Sequence, residues 1–365
     1  MLSEKAITTE IACRFCWMCR HLCPIGLQTG KETNTPRALA LLLDMVRNGE
    51  EFTPEMANDM YACSLCGACA AGCETGFDPR IYIREARTEA AVDGYLPKKV
   101  QQLVESINTF GTMYGKELEK NPVSGQSTKN ADVFLYAGDT AVTKTPEIVE
   151  AIAKLLDKAG ISYIAAEKEP PCGAEMLDLI GEVNETVESA KPLVDLIKGL
   201  DILTVLVIDP SHAKVMQEDF AQWGLAMDAK VETATSFFAR LVKEGRLKPE
   251  KLNLKNVTYH DPCRLARDLN ETEPARYLLA SMGIDIKEMF LNKNMTRCCG
   301  NEIVNNYSPE YVTMTSRGRW EDVKRCGAQL LVTACPACYE ILGSQKPDDK
   351  QIIDIFILLA RACGV

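Results

Sequence analysis

CRFCWMCRHLCP, residues 13–24, places cysteines at Cys13, Cys16, Cys19 and Cys23, and CSLCGACAAGC, residues 63–73, repeats the spacing at Cys63, Cys66, Cys69 and Cys73. Each run reads C-x2-C-x2-C-x3-C. A loop with that spacing wraps three thiolates around one [4Fe–4S] cubane, and the fourth cysteine leaves on the next element to reach the neighbouring cluster. The expected ligand sets are therefore crossed: Cys13, Cys16, Cys19 and Cys73 for one cluster, and Cys63, Cys66, Cys69 and Cys23 for the other. Pro24 follows the first run as the pattern asks, while Glu74 replaces the second proline. Structural zinc takes cysteines in pairs and has no use for a third at the same spacing, twice over.

The 39 residues between the runs, Pro24 to Ala62, read as helical. Thr35-Pro36 and Thr53-Pro54 each pair a capping residue with proline at the first helical position. Leu39, Leu42, Leu43 and Val46 then recur at helical spacing. Asp78-Pro79 starts another helix that runs to Val92. These signals predict an all-helical ferredoxin-like domain over residues 1–97, ending at Leu96-Pro97, with a linker or helix over 98–130.

Composition sets the class. The chain has 365 residues, 16 cysteines and a net charge of −10. So acidic a surface repels phosphate backbones and argues against a nucleic-acid partner. No apolar run approaches the roughly 18 residues that span a bilayer; the purest, Ile202 to Ile208, reads as a buried strand. MLSEKAITTE lacks the apolar centre of a signal peptide, so the expected location is cytoplasmic. Cysteines stay reduced there, and clustered thiols are read as metal ligands.

Beyond residue 130 the chain repeats itself. In copy two, NVTYHDPC ends at Cys263, CCG occupies 298–300 and CPAC 335–338, with 34 residues between Cys263 and Cys298 and 35 between Cys299 and Cys335. In copy one, ADVFLYAGDT ends at Thr140, PCG occupies 171–173 and DPSH 209–212, with 30 and 36 residues in the matching intervals. LLVTACPAC also runs parallel to VLVIDPSH. This is an internal duplication, with copy one over 131–250 and copy two over 251–365. Copy two keeps five cysteines, whereas copy one has Thr140, Pro171, Asp209 and His212 at four of those positions and keeps Cys172.

Copy one reads as strand 132–137, helix 145–159, strand 161–165, a helical stretch 174–198, strand 202–208 and a helix from about 211 capped by Ser211. Such alternation predicts a parallel sheet with helices on its faces. The cysteines then fall at the carboxyl ends of strands, where α/β folds place ligands. The fold class is α+β overall: a helical ferredoxin-like domain followed by a duplicated α/β domain with parallel sheets.

The block C-x34-CCG-x35-C-x2-C resembles the cysteine-rich motif of heterodisulfide reductase catalytic subunits, a domain shared with glycolate-oxidase-type iron–sulfur subunits. A helical two-cubane domain ahead of it extends the resemblance over nearly the whole chain. The resemblance implies a noncubane [4Fe–4S] cluster on Cys263, Cys298, Cys299, Cys335 and Cys338, in addition to the two cubanes. In heterodisulfide reductases both copies carry such a cluster and a disulfide is split between them. Copy one departs from that pattern and points to a single-motif branch.

Three further residues are candidate catalytic groups. Cys172 is placed opposite the copy-two cluster by the pseudo-symmetry of the repeat and reads as a redox-active thiol or a buried remnant. His260 and His212 supply the near-neutral proton donor that a leaving thiolate needs. His21 reads as a residue on the cluster surface, Asp209 as a helix cap ahead of a substrate contact, and Cys326 and Cys363 as packing. Arg264, Arg267, Lys293 and Arg297 gather around the CCG block, where cations stabilise reduced clusters or hold acidic substrates. The C-terminal IIDIFILLARACGV shows an apolar helical face suited to core packing.

No G-x-G-x-x-G follows an expected strand, so electrons must be exchanged with a flavoprotein partner, among other redox subunits of a complex. Two functions fit. In one, the chain is an enzyme subunit whose CCG centre reduces a disulfide or thiol substrate with electrons from the cubanes. In the other it is a relay between a flavin-containing dehydrogenase and another acceptor. A cavity between the two copies favours the first, and a walled-in centre favours the second.

Overall fold

The computed structural model describes residues 3–125 and 131–365; residues 126–130 of the expected linker lie outside the described residues. Capped helices build the N-terminal part. Thr35 and Thr53 accept from Ala38 N and Met56 N at 3.3 Å and start the helices Pro36–Arg47 and Pro54–Met60. Asp78 accepts from Arg80 N at 3.0 Å and starts Pro79–Val92. Leu39, Leu43, Met60, Leu65, Phe77, Tyr82 and Ile83 close a small core between these helices. The next helix, Lys98–Phe110, is more than a linker. Its Val100, Leu103, Val104 and Ile107 pack in one apolar cluster with Met176 and Leu179 of copy one and Ile303 and Val304 of copy two.

The two copies each form a parallel sheet. In copy one, β1 (Val133–Tyr136), β2 (Tyr163–Ile164), β3 (Thr204–Val207) and β4 (Lys230–Thr233) lie in the order β2-β1-β3-β4. In copy two, β5 (Val257–His260), β6 (Leu330–Thr333) and β7 (Gln351–Asp354) lie in the order β5-β6-β7. A single bridge from Val257 to Ile286 stands where β2 stands in the first sheet. β1 and β3 align Phe134 with Val205, and β5 and β6 align Tyr259 with Val332. These strands are buried on both faces, which explains their unbroken apolar runs.

Some elements differ from the sequence expectation. The stretch 174–198 is two helices, Ala174–Ile180 and Asn184–Lys198. Gly181 separates them at φ +75°, and a Cβ there would meet Arg84 O at 2.9 Å, so the break lets the ferredoxin domain approach. Asp209, not Ser211, caps the helix Pro210–Lys214, its Oδ1 accepting from Ser211 N at 2.7 Å. The C-terminal stretch divides into β7 and the helix Ile355–Ala362, because Asp354 supplies a cap in its middle. Among the described residues, no helix is long and apolar enough to cross a membrane.

Asp178 of copy one joins the three parts. Its carboxylate accepts from Arg84 of the ferredoxin domain at 3.0 Å and from Arg264 of copy two at 2.5 Å. Buried Arg87 adds bonds to Asp178 O at 2.5 Å, Met60 O at 2.9 Å and Cys63 O at 2.6 Å. Removing one partner of a buried ion pair strands the others. Asp178→Ala is therefore expected to lower unfolding free energy by about 3–5 kcal/mol, measured by chemical denaturation of the holoprotein.

Asp354 gives a pH-dependent test. Its Oδ1 accepts from Phe356 N at 2.8 Å, its Oδ2 is buried without a partner, and burial pushes its pKa up to about 8. An unfolded aspartate titrates near pH 4, so between roughly pH 4 and 8 the folded state holds a proton the unfolded state has lost, and this contribution to stability falls as pH rises. Asp354→Asn keeps the cap and removes the charge. Its melting temperature should exceed that of the wild type by a few degrees at pH 8 and by less at pH 5.

Candidate metal centres and the cavity between the repeats

The two cysteine loops share one unusual backbone. Phe15 and Leu65 both sit at φ 50°, and Trp17 and Gly67 follow at φ 70° and 73°. Left-handed geometry is costly for a phenylalanine or leucine. It turns the Phe15 and Leu65 N–H groups onto the Cys13 and Cys63 sulfurs at 3.4 and 3.3 Å. Gly26 N likewise donates to Cys23 Sγ at 3.3 Å. N–H groups aimed at sulfur suit thiolate ligands.

The fourth cysteines cross over. Cys13, Cys16, Cys19 and Cys73 line one surface cavity with Trp17, Arg37 and Phe77. Cys23 lies close enough to Cys63 and Cys66 to feel their charge, and Cys69 feels Cys66, Cys63 and Cys23. The first group is the more exposed, with Cys16 at the surface and Phe15, Trp17 and Met18 beside it in solvent. The second is deeper, and burial pushes the Cys23 thiol up to about 12.

The five cysteines of copy two converge at the ends of β5 and β6. Cys338 Sγ approaches Cys299 Sγ at 3.5 Å, and Gly300 N donates to Cys298 Sγ at 3.4 Å. Cys298 interacts with Cys263 and Cys299 on one side and with Cys66 of the ferredoxin domain on the other. Arg267 and Asn301 hold that junction, donating to Cys66 O at 2.5 Å and Ser64 O at 3.0 Å.

These sulfurs face a small cavity of about 60 Å³ between the two copies. Copy two lines it with Cys263, Cys298, Cys299, Cys335, Cys338 and Glu302; copy one contributes Thr140, Glu175, Asp209 and His212, and Arg84 reaches in from the ferredoxin domain.

Residues 11–77 match the 4Fe-4S dicluster domain family, and residues 257–343 match the cysteine-rich CCG domain family. The chain thus joins a 4Fe-4S dicluster domain to a cysteine-rich CCG domain, and it is similar to heterodisulfide reductase chains. It is similar to a dihydromethanophenazine:CoB--CoM heterodisulfide reductase chain of Methanosarcina acetivorans, at 28% identity over 85% of this chain and 80% of that one. The corresponding Methanosarcina barkeri chain is 26% identical over 97% of this chain and 94% of its own. A fumarate reductase (CoM/CoB) chain from Methanothermobacter marburgensis is 22% identical over 96% and 72%. A hypothetical protein from Helicobacter pylori shares the fold alone, with a TM-score of 0.65 at 6% identity, covering all of this chain and 73% of that one.

The candidate catalytic residues separate. His260 is buried and does not border the cavity. Arg319 Nε donates to its Nδ1 at 3.0 Å; arginine cannot accept, so the ring proton sits on Nε2. The imidazole lies within 4.8 Å of the Cys299 and Cys338 sulfurs, and burial holds its pKa below the usual range. It is held neutral, and its Nε2 is buried without a hydrogen-bond partner. His212 borders the cavity, with Nε2 2.6 Å from Glu175 Oε1. Cys172 lies behind it, fully buried, its thiol pushed up to about 12 by burial. That thiol stays protonated, so Glu175 is the group that favours a proton on His212. His21 is exposed at the end of the short Met18–His21 turn.

The expected basic residues are engaged in ion pairs and backbone contacts, and Arg264 also borders the cavity. Arg264 and Arg267 bind copy two to its neighbours as described, Lys293 pairs with Glu273 at 2.7 Å, and Arg297 reaches Asp322 at 3.5 Å. Cys326 and Cys363 are packing residues outside all three cysteine groups.

Sequence reading missed Glu302. It opens the helix Glu302–Tyr307, borders the cavity, and buries Oε2 without a partner. Burial, with the charges of Glu340 and Cys299, pushes its pKa up to about 8. The signal was present in the repeat: Glu302 follows Cys299 by three positions, as Glu175 follows Cys172.

Proposed function

We propose that the chain is the disulfide- or thiol-handling electron-transfer subunit of a larger redox complex. The cavity between the copies carries this reading. The five cysteines border a small cavity, about 60 Å³, that both copies line, an opening that a relay does not require. The residues fit iron–sulfur clusters: their sulfurs converge, accept backbone N–H groups and sit on matching strained loops. Cys13, Cys16, Cys19 and Cys73 would hold one cubane, Cys63, Cys66, Cys69 and Cys23 the other, and Cys263, Cys298, Cys299, Cys335 and Cys338 a noncubane cluster. When bound, such clusters supply one-electron carriers placed in series.

The chain's own residues supply the rest. The exposed Phe15, Trp17 and Met18 beside Cys16 offer an apolar face on which a flavoprotein partner can dock. Contact between Cys66 and Cys298 couples the ferredoxin domain to the cavity. His260 holds a neutral imidazole close to the copy-two sulfurs. Glu302 holds a proton at its buried oxygen beside the space where a sulfur substrate would lie, and it delivers that proton to a departing thiolate. Glu302 thus takes the part that sequence reading gave to His260.

Two measurements test this. Anaerobically purified protein should contain about twelve irons per chain, two cubane signals on reduction, and a further paramagnetic signal on oxidation in the presence of thiol. About eight irons and cubane signals alone would overturn the disulfide reading. Glu302→Gln should lower disulfide reduction, driven by a reduced viologen, by about 10²-fold or more at unchanged iron content. A protonated donor is lost above its pKa, so wild-type activity should fall as pH rises through about 8, and the variant should lose that limb.

A further inference from the structure

The two cysteine loops of the ferredoxin domain share a backbone and differ in what they carry. Phe15 and Leu65 both lie at φ 50°, and Trp17 and Gly67 at φ 70° and 73°. Position by position, the inner loop holds Ser64, Leu65, Gly67 and Ala68 where the outer one holds Arg14, Phe15, Trp17 and Met18. Glycine is the residue that a left-handed position favours. At 67 nothing larger fits, because a Cβ there would lie 2.9 Å from the Arg80 guanidinium. The inner loop thus gathers its cysteines with no side chain at that position. The outer loop sets a tryptophan at the same φ, against the steric cost.

That tryptophan faces solvent. Trp17 is 40% exposed and Met18 60%, whereas Leu65 is 1% exposed. The indole is also held in place. The guanidinium carbon of Arg37 lies 3.8 Å from its ring centroid and that of Arg20 5.5 Å. Glu32 pins both arginines, at 3.7 Å from Arg20 and 3.6 Å from Arg37. A ring fixed in advance loses little freedom when a partner covers it. Phenylalanine, tryptophan, methionine and arginine are the residues enriched at interface cores, and tryptophan and arginine lead among those whose removal costs most binding.

Charge gives the chemistry of the partner. Arg14, Arg20 and Arg37 stand here against Glu32 and Glu74, a local positive excess on a chain whose net charge is −10. We infer that Trp17 is the anchor on which the electron-exchange partner docks, and that this partner is a redox protein whose docking face is an apolar pocket ringed by carboxylates. The strained loop serves recognition: it holds the ring out beside Cys16, where a bound partner lies next to the outer cysteine group. This deepens the placing of a redox partner on the Cys16 side and rests on it; it does not rest on the disulfide chemistry.

The test is stopped-flow reduction of the anaerobic holoprotein by flavodoxin hydroquinone, an acidic one-electron flavoprotein, with dithionite giving the total reducible cluster. Two acidic proteins repel overall, so net charge alone makes the rate rise with salt. Docking on the arginine-rimmed patch makes it fall as ionic strength goes from about 0.05 to about 0.5 M. Trp17→Gly, which suits the backbone, should lower the second-order rate constant by about tenfold or more and keep the full iron content. Arg14→Glu, at an exposed side chain, should flatten the salt dependence. A rate that rises with salt, a wild-type rate in Trp17→Gly, or loss of iron from that variant would each overturn the proposal. Wild-type protein without cubane iron would overturn the electron-transfer reading itself, so the two failures are separately visible.

Discussion

A single buried carboxylate, that of Asp178, holds the molecule in register. It receives Arg84 from the ferredoxin domain and Arg264 from copy two, while Arg264 and Arg80 share Asp268. Buried ion pairs add little net stability, but breaking one is costly, so they fix geometry more than they add strength. Here the geometry they fix is the approach of Cys66 to Cys298. That contact is where the cysteines of the ferredoxin domain meet those of the CCG block. Transfer of electrons between centres depends on their separation, so function rests on side chains that never touch a sulfur.

The two copies show how a fold survives the loss of its ligands. Their strands are held by apolar residues such as Phe134, Leu135 and Val205 in one sheet and Tyr259, Leu331 and Val332 in the other. The donor positions sit past the strand ends, outside that packing. Copy one accordingly keeps a parallel sheet with threonine, proline, aspartate and histidine where copy two has cysteines. What differs is the chemistry that the two walls present to the cavity.

Protonation follows burial and partners more than residue type. Histidine is the usual donor near neutral pH, yet Arg319 takes the Nδ1 of His260 and burial disfavours its charge. Glutamate is usually ionised at pH 7, yet Glu302 lies buried near the negative Cys299 and Glu340 and keeps its proton. A carboxyl group becomes an acid here because of where the chain puts it.

Much of this was legible in the residue order. Cysteine spacing, Thr-Pro and Asp-Pro helix starts and the matched intervals of the repeat are local signals, and they specified the helical ferredoxin domain, the duplicated α/β domain and the cysteines that face each other. Strand β4, the break at Gly181 and the division of the C-terminal stretch escaped, since each depends on what packs against it. The tertiary structure alone decided that Cys66 abuts Cys298, that Glu302 borders the cavity and His260 does not, and that Cys172, Glu175 and His212 converge. These are contacts between residues far apart in the chain. Their distances are set by how helices and sheets pack; spacing along the sequence marks Glu302 as the counterpart of Glu175 but gives no distance.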